Sequence, residues 1–259
     1  MFHAAQPVAF FESGLGGISV LRAAVRALPH ENFIYYGDSA NAPYGTKTQE
    51  EILRLSRSVM EKVLAMGAKA VVIACNTATG MAVEPLRRQY PDLTIIGVEP
   101  AVKPAAEAYP GGRILVLATP MCLQGARYRE LQGRFSDAAQ IHPVPCGGLM
   151  EFVERGELQG EHLRAYLEEK LQPFLGQRVD AAVLGCTHYP FLRGAIAEVL
   201  GPQTAIIDGN AGITAQLRRR LEEQGLLNPS REAGTVTFYN SLEDDAILLR
   251  SKALLELPE

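Results

Sequence analysis

Apolar and polar residues alternate along the chain in a rhythm that predicts strands separated by helices. Short apolar runs bounded by small or polar residues are typical of strands that are buried on both faces of a parallel sheet. The predicted strands span residues 8–11, 32–36, 70–74, 93–98, 113–118, 141–144, 181–184, 204–207 and 235–239.

The segments between these strands have helical spacing of their apolar residues. Thr48 and Glu51 have the spacing of a capping box, and Gly67 suits the position after a helix end. We expect Pro85 to lie near a turn or kink of the helix that follows Cys75. The remaining predicted helices span residues 18–28, 149–154, 163–175, 191–200, 209–225 and 242–255. Strands that alternate with helices predict an α/β fold with parallel sheets.

Two of the predicted strands end in a cysteine that is followed by polar residues. Cys75 and Cys186 lie 111 positions apart (186 − 75), and the same offset carries residues 95–97 onto residues 206–208. The shared offset indicates that one structural unit is used twice. Because open α/β sheets bind ligands at the carboxyl ends of their strands, we expect each half to present one thiol to a single ligand.

Composition narrows the class of protein. The chain has 259 residues, which fits one large domain or two of moderate size, and 47% of them are hydrophobic. The formal net charge of −4 argues against nucleic acid as the main partner, since phosphate binding needs a basic excess. No apolar run approaches the length of a membrane span, and residues 7–11 read as a strand rather than a signal peptide.

The four cysteines stand at positions 75, 122, 146 and 186 without any CxxC pair. This spacing argues against a structural zinc site and against a thioredoxin-type motif. We expect reduced thiols in the cytoplasm, with Cys122 and Cys146 serving as structural residues.

A glycine-rich loop at residues 14–17 follows the first predicted strand. A dinucleotide fingerprint would need glycine where Ser19 stands, and the lysine of a P-loop is absent. The loop is therefore either an anion-binding turn at a helix N-terminus or a tight strand–helix connection, and spacing alone favours neither.

Four groups of residues together resemble the glutamate racemase family. They are residues 11–17, residues 37–38 with 43–45, residues 75–77, and residues 185–190, and they occur in order along nearly the whole chain. The resemblance implies two similar parallel-sheet α/β domains related by pseudo-symmetry, with the active site at their interface. It places the first domain at residues 1–98 plus 208–259 and the second at residues 99–207.

The resemblance also implies the activity, which is cofactor-independent interconversion of L- and D-glutamate that supplies D-glutamate for peptidoglycan. A homodimer is plausible on the same ground. No lysine lies in a recognisable pyridoxal-phosphate context and no metal-ligand cluster is apparent, so neither a cofactor nor a metal is expected. The expected partner is the small-molecule substrate, without a membrane.

Inversion of Cα suits two acid/base groups on opposite faces, one as thiolate and one as thiol. The resemblance implies that Cys75 takes the proton from D-glutamate and Cys186 takes it from L-glutamate. Glu12 is the expected assistant of Cys75, and His188 with Glu154 that of Cys186. Candidate substrate-binding residues are polar residues or backbone donors in the loops after strands: Glu12, Ser13, Tyr44, Gly45, Asn76, Thr77, Thr119, Thr187 and His188.

The chain departs from the family pattern at two positions. Glu12 stands where the family usually has aspartate, so its carboxylate either overreaches or requires a local adjustment. Cys122 stands where the family tends to have a second threonine, which removes one hydroxyl donor. Alternative functions are a racemase of another acidic amino acid such as aspartate, a non-catalytic protein that binds an acidic ligand, and a disulfide-linked redox protein.

Overall fold

The computed structural model of the protein describes residues 2–257. In these residues the strands are β1 (Val8–Glu12), β2 (Phe33–Gly37), β3 (Ala70–Ile73), β4 (Thr94–Gly97), β5 (Arg113–Ala118), β6 (Gln140–Pro145), β7 (Ala181–Leu184), β8 (Ala205–Ile207) and β9 (Val236–Asn240). The helices are α1 (Ile18–Ala27), α2 (Gln49–Ala65), α3 (Asn76–Gln89), α4 (Val102–Ala108), α5 (Pro120–Gln124), α6 (Ala126–Phe135), α7 (Leu149–Arg155), α8 (Glu161–Leu171), α9 (Arg193–Leu200), α10 (Asn210–Glu223) and α11 (Asp245–Glu256).

The chain divides into two compact units. The first contains residues up to Val98 together with Asn210 and the residues after it, and the second contains Glu99–Gly209. The strands of the first unit are ordered β4-β3-β1-β2-β9, and those of the second are ordered β6-β5-β7-β8. All neighbouring strands pair in parallel, so the predicted α/β class with two parallel sheets is confirmed.

The two sheets share one topology and one register. The order β4-β3-β1-β2 matches β8-β7-β5-β6, and β9 is an additional edge strand in the first unit. Val71 pairs with Ile95 in the first sheet, and Ala182 pairs with Ile206 in the second, which is the 111-residue offset again. The repeat that the sequence indicates around the two cysteines therefore extends to the pairing of whole strands.

The strand order creates a topological switch point in each unit. The chain leaves β1 toward β2 on one side and then crosses back to β3 on the other side. Helices that follow neighbouring strands at such a point diverge and leave a crevice at the carboxyl ends of the strands. The equivalent crevice in the second unit lies between the ends of β5 and β7.

The central strands are buried on both faces, as their continuous apolar runs predict. In the second unit, Ile114 and Val116 face one hydrophobic cluster whereas Leu115 and Leu117 face another. In the first unit, β1, β2 and β3 are buried along their whole length. The sheets are therefore rigid supports for the loops at their edges.

Most element boundaries agree with the sequence analysis, with differences of a few residues. Thr48 and Glu51 form the predicted capping box, and Gly67 has the positive φ of 86° expected after a helix end. Pro85 lies inside α3, which continues through this residue to Gln89 rather than ending in a turn there. Sequence analysis missed α4, α5 and α6, which are short or have a weak apolar face.

No helix among residues 2–257 combines the length and the apolar character that a bilayer crossing requires.

A buried ion pair fastens the start of β3 to neighbouring segments. Lys69 Nζ lies 2.6 Å from Glu31 Oε2, and both side chains are almost fully buried. Glu31 Oε1 accepts a hydrogen bond of 2.6 Å from the Asn228 amide, and Lys69 also donates to the Ala4 carbonyl. The pair thereby links segments from both ends of the chain to the strand that leads to Cys75.

We predict that Glu31→Ala lowers the free energy of unfolding by about 3–5 kcal/mol, because it leaves the Lys69 ammonium buried without its counter-charge. Adding Lys69→Met to this variant should recover part of the loss, as measured by urea denaturation. A double variant that is no more stable than Glu31→Ala would contradict this account of the pair.

Candidate active site

Cys75 lies at the junction of β3 and α3 and caps the helix. Its backbone is extended, and its Sγ accepts a hydrogen bond of 3.5 Å from the Ala78 amide. A sulfur at the N-terminus of a helix lies at the positive end of the helix dipole, where negative charge is favoured. The local sequence thus places a 5% exposed thiol at the positive end of the α3 dipole.

Ser13 connects Cys75 to Glu12. The Ser13 hydroxyl donates to Glu12 Oε1 over 3.2 Å, and Ser13 Oγ lies 3.5 Å from Cys75 Sγ. A hydroxyl carries a single hydrogen. When that hydrogen points to Glu12, the Cys75 thiol is the donor to the Ser13 oxygen.

Glu12 reaches this position because its side chain folds over a glycine. A Cβ at Gly17 would lie 2.7 Å from Glu12 Cγ, 2.9 Å from Glu12 Cβ and 2.8 Å from Ala74 Cβ. The extra methylene of glutamate occupies the space that Gly17 leaves, and Glu12 Oε2 accepts a hydrogen bond of 2.5 Å from the Gly14 amide. The structure therefore shows the local adjustment, in which the carboxylate turns back onto its own loop.

The glycine-rich loop is a tight strand–helix turn. The amides of Ile18, Ser19 and Val20 donate to carbonyl groups within the turn, and the Gly14 amide binds the carboxylate of Glu12. Both features that the sequence left open are therefore present, since the loop is a tight connection and its Gly14 amide binds the carboxylate of Glu12.

Tyr44 is buried, and its hydroxyl hydrogen is already used in a hydrogen bond within the protein. The hydroxyl donates to Asp38 Oδ2 over 2.7 Å, and Asp38 also accepts hydrogen bonds from the Asn41 side chain. Burial and this hydrogen bond raise the pKa of Tyr44 well above its usual value. Asp38 is not among the candidate site residues of the sequence analysis, although its position after β2 and six residues before Tyr44 was a usable signal.

Asn76 and Thr77 begin α3 directly after Cys75, and Gly45 lies in the short 3₁₀ turn Tyr44–Thr46 that packs against α3. The Asn76 side-chain oxygen is buried and has no hydrogen-bond partner in the described part of the chain. Buried carbonyl oxygens are rarely left unpaired. Asn76 Oδ1 therefore offers an acceptor for a donor group of a bound molecule.

The second unit holds a chain of three groups around Cys186. Cys186 Sγ lies 3.7 Å from His188 Nδ1, and His188 Nε2 lies 2.8 Å from Glu154 Oε1 on α7. An ionised carboxylate can only accept, so His188 Nε2 is protonated, and Nδ1 of a neutral ring then accepts from the Cys186 thiol. His188 is buried, whereas the Glu154 side chain is one-third exposed.

Strand register places Thr119 next to Cys186. The Gly185 amide donates to the Leu117 carbonyl over 2.7 Å, and a Cβ at Gly185 would lie 2.9 Å from Ala118 Cβ, so the ends of β5 and β7 approach closely. Thr119 Oγ1 accepts from the Cys122 amide over 3.3 Å, which leaves the hydroxyl hydrogen to donate. Thr187 follows Cys186 and is buried.

Two further cysteines lie in the surroundings of Cys186. Burial, with a smaller effect of negative charge on Cys186, raises the pKa of Cys122 to about 12. Burial also raises the pKa of Cys146 to about 12, against the lowering effect of Lys170. Both remain thiols at neutral pH, so neither is suited to act as a base.

All four cysteines lie in the described part of the chain and are present as thiols rather than disulfides. Within residues 2–257, no group of three His, Cys, Asp or Glu side chains is arranged to hold a metal ion.

Comparison with known proteins places the chain in a family. The Asp/Glu/Hydantoin racemase model matches residues 12–217. The chain belongs to this family. The glutamate racemase of Clostridium perfringens is 47% identical over 251 residues, which cover 97% of this chain and 96% of that protein.

Solved structures agree with this family membership. The Francisella tularensis glutamate racemase in complex with D-glutamate has a TM-score of 0.83 at 25% identity, with 98% of this chain and 95% of that chain covered. The Escherichia coli glutamate racemase in complex with L-glutamate and the activator UDP-MurNAc-Ala has a TM-score of 0.82 at 28% identity, with coverages of 96% and 95%.

We predict that Gly17→Ala lowers racemase activity and lowers the free energy of unfolding by about 1–3 kcal/mol, because the new methyl group must displace Glu12 and Ala74. Gly80→Ala is the matched control, since a Cβ at this exposed position of α3 meets nothing within 4 Å. Thermal denaturation and a racemisation assay measure both effects. Full activity and stability of Gly17→Ala would contradict the proposed packing of Glu12.

Proposed function

We propose that this chain interconverts L- and D-glutamate without a cofactor, using one thiol from each unit. The observation that carries the proposal is the occurrence of two thiol-centred groups at equivalent positions of a repeated sheet. Cys75 is connected through Ser13 to Glu12, and Cys186 is connected through His188 to Glu154. Binding of an acidic ligand alone would need neither thiol.

In the proposed reaction the Cys75 thiolate removes the α-proton of D-glutamate while the Cys186 thiol supplies a proton to the opposite face of Cα. The reverse reaction exchanges these roles. Each turnover leaves one cysteine with an additional proton and the other without one. The carboxylate-linked partners, Glu12 and His188 with Glu154, exchange these protons and return the thiols to their starting states.

The loops after the strands supply the groups that hold an acidic substrate. Thr119 can donate through its hydroxyl, and Asn76 Oδ1 provides a buried acceptor suited to the substrate ammonium. In this proposal the other contacts come from the residues predicted above: Glu12, Ser13, Tyr44, Gly45, Thr77, Thr187 and His188. Because the Tyr44 hydroxyl donates to Asp38, Tyr44 serves through its oxygen or its backbone rather than as a hydroxyl donor. Such fixed groups stabilise the charge that develops at Cα and the carboxylates.

Family membership supports a role for the product D-glutamate in peptidoglycan synthesis, in the cytoplasm. It also supports a homodimer as the assembly to test.

We predict that Cys75→Ala and Cys186→Ala each lower kcat for glutamate racemisation by about 10³-fold or more, since each face of Cα loses its acid/base group. Cys146→Ala should retain activity, because the Cys146 thiol is not part of either group, and circular dichroism should show that all three variants are folded. Chiral chromatography of both glutamate enantiomers measures the rates.

The same assay should include L-aspartate. Glu12 is one methylene longer than the aspartate that the family usually has at this position, so the site could suit a shorter substrate. Conversion of L-aspartate in preference to L-glutamate would overturn the proposed substrate. Racemisation of glutamate by either single-thiol variant at the unmodified rate would overturn the two-thiol reaction.

A further inference from the structure

Ser13 is the group through which the structure connects Cys75 with Glu12. The serine oxygen lies 3.2 Å from Glu12 Oε1 and 3.5 Å from Cys75 Sγ, and the three side chains are at most 5% exposed. The other carboxylate oxygen is held by the Gly14 amide. This arrangement fixes Oε1 toward the serine hydroxyl rather than leaving the carboxylate to rotate.

We infer that Ser13 relays a proton between Cys75 and Glu12, an inference that rests on the proposed racemase function. The Cys75 thiol gives its proton to Ser13 Oγ while the Ser13 hydroxyl gives its own proton to Glu12 Oε1. Cys75 becomes a thiolate, Glu12 becomes a carboxylic acid, and Ser13 is a neutral hydroxyl before and after the transfer. The reverse transfer reprotonates Cys75.

The register of the two sheets explains why this relay is confined to the first unit. Val8 pairs with Ala70, and Ile114 pairs with Ala181. Counting four residues along β1 and β5 from these pairs places Ala118 at the position equivalent to Glu12, and Thr119 at that equivalent to Ser13. The second unit therefore has no carboxylate at the strand end, and its carboxylate comes from α7 through His188.

The two intermediaries differ in chemistry. The imidazole of His188 has two ring nitrogens, one of which can accept a proton while the other still carries its own, so transfer through it can occur in two separate steps. A serine hydroxyl does not hold an additional proton at this pH, so transfer through Ser13 must move both hydrogens together. Ser13 thus acts by connecting Cys75 with Glu12. A residue that only contacts the substrate would not need to connect them.

A half-reaction isolates Cys75 for the test. In a Cys186→Ala background, Cys75 can remove the α-proton of D-glutamate and return solvent deuterium to the same face, which proton NMR detects in D₂O. We expect Ser13→Ala to lower kcat of this exchange by about 10–100-fold, with a smaller change in KM. Ser13→Thr, which keeps the hydroxyl, should restore most of the exchange.

The reciprocal background separates relay from substrate contact. In Cys75→Ala, exchange of L-glutamate depends on Cys186, so any effect of Ser13→Ala there reports only contact with the substrate. We expect the loss in the Cys186→Ala background to exceed this loss by about tenfold or more. Equal losses in the two backgrounds would overturn the relay and leave Ser13 as a substrate-binding residue.

Isotope effects in the two-thiol enzyme give a second measurement if exchange in the single-thiol variants is too slow to detect. Ser13→Ala should increase the primary isotope effect with α-deuterated D-glutamate and decrease it with α-deuterated L-glutamate, because the Cys75 step becomes more rate-limiting. Equal changes for both enantiomers would contradict the relay.

Ser56→Ala is the matched control for loss of a buried serine hydroxyl in the same unit. Ser56 lies on α2, and its Oγ has no hydrogen-bond partner within residues 2–257, so this variant should keep the unmodified rates. Absence of glutamate racemisation by the unmodified chain would overturn the proposed function itself. Racemisation with equal Ser13→Ala losses would overturn the relay alone.

Discussion

The rest of the site depends on the hydrogen bond from the Ala78 amide to Cys75 Sγ. This bond caps the start of α3 and also fixes the position of the thiol. The chain must leave a sheet that is buried on both faces, and it does so at the carboxyl end of β3, where α3 begins. The first amides of a helix lack partners within the helix and need an acceptor. A thiol at this position satisfies one of them, and the helix dipole contributes in favour of its anionic form, so the fold and the chemistry place the same demand on residue 75.

Repetition of the sheet supplies a second thiol at the end of β7 but not a second copy of its surroundings. The registers of β3 with β4 and of β7 with β8 are the same, so the backbone repeats closely. The side chains beside the thiols differ, since Ser13 links Cys75 to Glu12 whereas His188 links Cys186 to Glu154. The Glu154 side chain is one-third exposed, whereas Glu12 is almost fully buried, so the two carboxylates differ in their access to water.

Several features of the site follow from sequence because they depend on local pattern. The apolar runs before Cys75 and Cys186 indicate buried strands, the 111-residue offset indicates the repeat, and parallel strands bring the loops after them to one edge. Other features depend on packing between distant segments and have no local signal. The accommodation of Glu12 depends on Gly17, because a Cβ at this position would clash with both Glu12 and Ala74 in the folded chain. The hydrogen bond from Tyr44 to Asp38 likewise depends on the path of the loop after β2.

The most direct test of two thiols acting on opposite faces is the racemisation of L-glutamate in D₂O, followed at early times. With two bases, the D-glutamate product carries one deuterium at Cα, since its new hydrogen comes from a thiol equilibrated with solvent, whereas the remaining L-glutamate keeps its original hydrogen. The account predicts this asymmetric labelling. Early deuterium in both enantiomers at equal rates would show a single base acting on both faces and would contradict it.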